Sequence, residues 1–210
     1  VKQGATSCGA MSLLVMAAAG DPILAMWLTT GMRVGSVPPP ELERATPADL
    51  VAATVTERVA IAERLLFARA RARALGPFTW PQAIGTPPWT AAREARFRGL
   101  TFTHTAIHDA DVARTRAVLE VVTRAVDLGI PVPLYTGGDV AQGLSTAIPR
   151  HVVLAVPTAQ RKDGELRIYE PSSGRIHAVA LESLLARRRP LAALGQWKHL
   201  TWAVLPRAAF

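Results

Sequence analysis

The apolar residues of this chain change their period at Gly129, and no other feature narrows the fold as much. Before that point they recur at helical spacing: Val118, Leu119, Val122 and Val126 fall on one face of a segment from about Asp111 to Leu128. After it they come in short runs bounded by Gly and Pro, namely Ile130 to Tyr135, His151 to Val156, Glu165 to Tyr169 and Leu200 to Leu205. Leu181 to Arg188 reads as a short helix between the last two. Helices first and strands after is the α+β pattern, which predicts a helical N-terminal half packed against a C-terminal antiparallel sheet.

The N-terminal half divides further. Cys8 to Ala19 is apolar almost all round, as a buried helix is, and Gly20 is a natural stop. Asp21 and Pro22 form an N-cap and first-turn pair that restarts a helix through about Thr30. Pro38 to Pro40 marks a loop. Thr46, Pro47 and Asp49 make a capping-box-like start for a helix running to about Leu75. Pro77, Pro81, Pro87 and Pro88 then punctuate a loop region carrying Trp80 and Trp89, with tryptophans of this kind expected in the core. The expectation is one domain over 1–210, with 35–110 a helical and loop insertion of unassigned role.

Half of the 210 residues are apolar and 19% are charged, enough to bury a sizeable core. No apolar run reaches the roughly 18 to 20 residues of a membrane span, so the chain is expected to be soluble. It begins at Val1 rather than Met, as a trimmed chain would, which leaves its localisation open. There are 24 basic against 16 acidic residues, a net charge of +8 that favours acidic partners by general electrostatics. Arg69, Arg71 and Arg73 alternate with Ala, and Arg187 to Arg189 form a run. No recognition motif or aromatic interleaving accompanies them, so they read as solvated helix faces rather than a nucleic-acid surface. His104 and His108 lie four apart with Asp109 and Asp111 behind, but in extended chain that spacing separates the rings by about 13 Å, and Asp109 reads as an N-cap. Neither a metal nor a cofactor is expected. Gly137, Gly138 and Asp139 lack the strand–loop–helix context of a phosphate cradle and read as a rim beside His151.

One cysteine excludes a disulfide framework and any multi-cysteine metal site. Cys8 is therefore core or chemistry. At the start of a helix, unpaired N–H groups and the positive dipole end favour thiolate, so a lowered thiol pKa is expected. Gly9 leaves room beside the sulfur for a substrate backbone. The Cys8 amide and the Gln3 side chain are candidate donors to an oxyanion. His151 opens its strand and is expected at the sheet edge nearest solvent. If HVVLAVP and ELRIYEP pair as a hairpin, positions 151 and 171 come opposite each other, with Glu170 one residue away. A one-residue slip moves a side chain to the other face, so the register decides whether Glu170 orients the imidazole.

The stretches QGATSCGAMSLL, DLGIPVPLY, RHVVLAV and RIYEPSSG, with a closing helix and a Trp-containing strand, resemble the bacterial double-glycine leader peptidases and their papain-like relatives. The resemblance spans residues 3 to 20 and about 115 to 205. It implies a papain-like cysteine peptidase with Cys8 as nucleophile, His151 as base, Glu170 as orienting acid and Gln3 as oxyanion-hole amide, acting on a peptide or protein substrate through an acyl-enzyme. The chain departs from the family pattern in carrying Glu170 before Pro171, where Asp or Asn is usual, and in a Gln3-to-Cys8 spacing one residue shorter than in papain. The same constellation serves acyl or amide transfer, and an inherited cleft without turnover would serve as a peptide- or partner-binding domain.

Overall fold

The computed structural model describes residues 6–108, 110–138, 151–159, 162–186 and 188–207. Helices α1 (Cys8–Gly20), α2 (Pro22–Thr30), α3 (Pro47–Leu50), α4 (Val55–Arg71) and α5 (Pro88–Glu94) precede the first strand. The strands are β1 (Phe102–Ala106), β2 (Val132–Gly137), β3 (His151–Val156), β4 (Glu165–Glu170), β5 (Arg175–Ala180) and β6 (His199–Pro206). Helix α6 (Val112–Asp127) lies between β1 and β2, and α7 (Leu181–Ala186) follows β5. The strands form one antiparallel sheet in the order β1-β6-β2-β3-β4-β5. The protein is thus a mixed α+β fold with a helical N-terminal half.

Helix α1 fills the centre of that half. Nine of its thirteen residues are buried, Met11, Leu13, Leu14 and Met16 among them, and it packs on α2, α4 and α5 on one side and on β3 and β2 on the other. Apolar side chains all round the helix are what such a position demands. Asp21 caps α2 by accepting from the Ile23 and Leu24 amides. The C-terminal end of α2 is held by Arg58 of α4, which is buried and donates to the carbonyls of Leu28, Thr29, Ala52 and Ala53. That arginine is therefore a structural cap rather than part of a solvated face. Arg69 likewise pairs with Glu94 at 2.5 Å.

The long helix expected from Thr46 to Leu75 is broken in two. Thr46 and Asp49 do form a capping box, but Thr54 and Glu57 form a second one that restarts the chain as α4. Two competing start signals eight residues apart leave room for only one turn in α3. Helix α6 begins where its apolar spacing predicts, with Asp111 as its cap; Asp109 lies outside the described residues. His104 sits in β1, which joins the sheet at its edge beside β6. Strand β5 was not foreseen. It is an edge strand whose only buried residue is Val179, so it lacks the alternation that marks half-buried strands. Among the described residues no single helix is long and apolar enough to cross a membrane.

Candidate functional site

Four elements converge at the start of α1. Cys8 is the first residue of that helix and is 5% exposed. Gly9 does not leave room for a substrate, as its sequence position suggested. A Cβ there would stand 2.8 Å from Thr86 Cβ and 3.4 Å from Val152 Cγ2, so the glycine admits the Thr86 side chain and the β3 surface instead. Thr86 is fixed in turn by the Tyr135 hydroxyl, which donates to its carbonyl at 2.9 Å. The segment 35–110 thereby contributes directly to the surroundings of Cys8.

His151 opens β3, an interior strand between β2 and β4, and is 7% exposed. It is a buried residue at a strand end rather than one at the solvent edge of the sheet. The β3–β4 register pairs Leu154 with Tyr169 and Ala155 with Ile168. Continued toward the strand ends, it sets His151 opposite Ser172 rather than residue 171. That single step matters, because side chains alternate between faces: His151 and Glu170 share a face, while Val152, Leu154 and Tyr169 face α1. His151 Nε2 lies 2.7 Å from Glu170 Oε1, with both side chains buried.

The turn Pro171 to Gly174 joins β4 to β5 and explains the state of Glu170. Its two amides, Ser172 N–H and Ser173 N–H, each donate to the carboxylate at 2.8 Å. Burial alone would raise the Glu170 pKa, but these donors, the Ser173 hydroxyl and the adjacent imidazole bring it down to about 2. An ionised carboxylate only accepts, so the proton in the 2.7 Å contact belongs to His151 Nε2, and the neutral ring carries its lone pair on Nδ1. Burial lowers the His151 pKa, and the pull of Glu170 does not overcome it.

The same turn reaches the nucleophile candidate. Ser172 Oγ lies 3.8 Å from Cys8 Sγ, so contacts run from Cys8 through Ser172 and Glu170 to His151. Among the described residues no direct hydrogen bond joins the sulfur to the imidazole. The lowered thiol pKa expected from the helix start is not found. Burial pushes the Cys8 thiol up, and the negative charges of Glu170 and Glu63 add to it, against the opposing pull of Ser172 and the Cys8 amide. Desolvating a thiolate costs more than the first turn of this helix returns. Gln3 and Asp139 lie outside the described residues.

Four contributors were missed by sequence reasoning: Glu63, Thr86, Ser172 and Gly195. Gly195 follows the short turn Ala192–Leu194, which Thr136 anchors by donating from its hydroxyl to the Leu194 carbonyl at 3.0 Å. Thr136 is also the cross-strand partner of His151. A Cβ on Gly195 would stand 2.3 Å from His151 Cδ2, and φ there is +64°. Gly195→Ala is therefore expected to push the ring off Glu170, with about 1 to 2 kcal/mol of left-handed backbone strain in addition. Loss of the downfield Nε2 proton signal from the NMR spectrum of a folded variant is the check; an unchanged signal would show that the ring is held by other contacts.

No family model, curated protein or solved structure matches this chain.

Proposed function

We propose that the protein is a papain-like cysteine peptidase, an amide hydrolase acting on peptides with Cys8 as nucleophile, His151 as base and Glu170 as the acid that orients it. The observation that carries this reading is the 2.7 Å contact between His151 Nε2 and a carboxylate held ionised by two backbone amides. It fixes the tautomer a general base needs, in contact through Ser172 with the one thiol of the chain.

The resting pair is a neutral thiol and a neutral imidazole, because burial opposes the charged form of each. Cys8 Sγ attacks the peptide carbonyl while its proton passes to Nδ1 of His151. The carbon–nitrogen bond then breaks, and the departing amine takes that proton from Nδ1. Water, deprotonated by the same nitrogen, hydrolyses the thioester and restores the thiol. Nδ1 and the sulfur are not in contact among the described residues, so this reading requires the two to approach in the substrate complex, where catalytic hydrogen bonds tighten. Partition of the acyl group between water and an added amine separates hydrolysis from transfer.

The absence of a direct sulfur–imidazole hydrogen bond among the described residues favours a second reading, a peptide-binding cleft without turnover. The pH dependence of Cys8 acylation by p-nitrophenyl acetate separates the two. The base must be neutral, so the rate should fall as pH drops through the His151 pKa, below 6.5, and should hold a plateau from there through neutral pH. A thiol without a base would instead show negligible rate at neutral pH and a climb only as it ionises, above 9.0. The second profile would overturn the peptidase reading.

A further inference from the structure

Glu63 sits within α4, in the segment 35–110 that the resemblance leaves unexplained. Its carboxylate accepts a hydrogen bond from the side chain of Ser7, the residue before the nucleophile, and its charge is felt at both Cys8 and Tyr169. Oxygen Oε1 is buried and has no hydrogen-bond partner among the described residues. Other buried or half-buried acids have partners: Glu170 accepts from His151 and two amides, Glu94 pairs with Arg69 and Arg93, and Glu41 pairs with Arg96. No cation among the described residues offsets Glu63.

A half-buried carboxylate with a spare acceptor beside a nucleophile is costly unless something completes it. A protonated amine has the charge and the donors to do so. Building on the peptidase reading, we propose that Glu63 is a specificity-determining residue that receives a cationic group of the substrate, a lysine-like ammonium near the scissile carbonyl. The net charge of +8 works against cations at long range, but that field is screened over about 10 Å at ordinary ionic strength. Among the described residues the charges felt at Cys8 are the two carboxylates, Glu170 and Glu63, so the local preference is opposite to that of the whole surface.

Thiosulfonate reagents of different charge test this. The Cys8 thiolate attacks the sulfenyl sulfur, a mixed disulfide forms and methanesulfinate leaves, whether the reagent carries a 2-aminoethyl, a methyl or a 2-sulfonatoethyl group. Removing Glu63 also makes the thiol easier to ionise and speeds every reagent, so the ratio of cationic to neutral rates is the informative quantity. That ratio should fall roughly fivefold in Glu63→Gln, stay near wild type in Glu63→Asp, and stay unchanged in Glu182→Gln, which removes an exposed acid on α7. Equal ratios in wild type and Glu63→Gln would overturn the proposal while leaving Cys8 reactive and the peptidase reading intact. Should Glu63→Gln not fold, Glu63→Ala takes its place: the ratio of cationic to neutral rates should fall there as well, and an unchanged ratio overturns the proposal. Failure of all three reagents to label Cys8 would remove both readings together.

Discussion

His151→Ala is expected to lower the rate of Cys8 acylation at pH 7 by about a thousandfold, the middle of the range that a positioned base contributes. The size of the effect follows from the resting state. Burial opposes ionisation of Cys8, so attack in the proposed mechanism requires simultaneous removal of the thiol proton, and the proposed acceptor is Nδ1 of His151, whose lone pair the Nε2–Glu170 contact leaves in place. A preformed thiolate would keep some reactivity without the imidazole; on the peptidase reading a thiol held neutral by burial would not. Circular dichroism should show the fold retained, since the ring's one hydrogen bond to Glu170 is lost together with its desolvation. A loss of less than tenfold would mean that the thiol finds another base.

Glu170→Ala should be the more damaging change for stability. It removes the acceptor of three donors at once, the His151 Nε2–H and the amides of Ser172 and Ser173. Each stranded buried donor costs about 1 to 3 kcal/mol, reduced where water enters the space left behind. A net loss of about 2 to 4 kcal/mol in denaturant unfolding is expected, with acylation falling at least a hundredfold as the ring loses its tautomer. Glu170→Gln should retain more of both. Its carbonyl oxygen still accepts from His151, but its NH2 group meets the Ser173 N–H, donor against donor, so it is not a neutral replacement. The carboxylate also sets an acid limit. Its pKa falls from an ordinary 4.5 to about 2 on folding, so its contribution is present above pH 4.5 and is lost as pH falls toward 2. Equal stability of the wild type and Glu170→Ala at pH 7 would contradict this assignment.

The sequence made some parts of this arrangement legible and hid others for physical reasons. Helices α1, α2 and α6 announce themselves by composition, period and caps, and β3 and β4 by short apolar runs between turn residues. The edge strand β5 carries almost no buried face and therefore no pattern. Helix α5 is hidden in the sequence because Pro87 and Pro88 suggest a break, yet Pro88 occupies a first-turn position where its missing N–H is harmless. The His151–Glu170 pairing hung on a one-residue register that periodicity does not specify. Glu63, Thr86 and Gly195 reach the site only because α4, the 85–88 loop and the turn before β6 dock against it, and a contact between such distant segments leaves no local signal. The Cys8 thiol was misjudged for a related reason: the helix start is visible in sequence, but the depth of its burial is not.

The most direct test of the account is to map the acylated residue. Brief exposure of the protein to p-nitrophenyl acetate at pH 7, followed by peptide mass analysis, should find one acetyl group on Cys8 in the wild type, removed by hydroxylamine, and almost none in His151→Ala. A wild-type Cys8 that remains unmodified, or one acylated equally with and without His151, would contradict it.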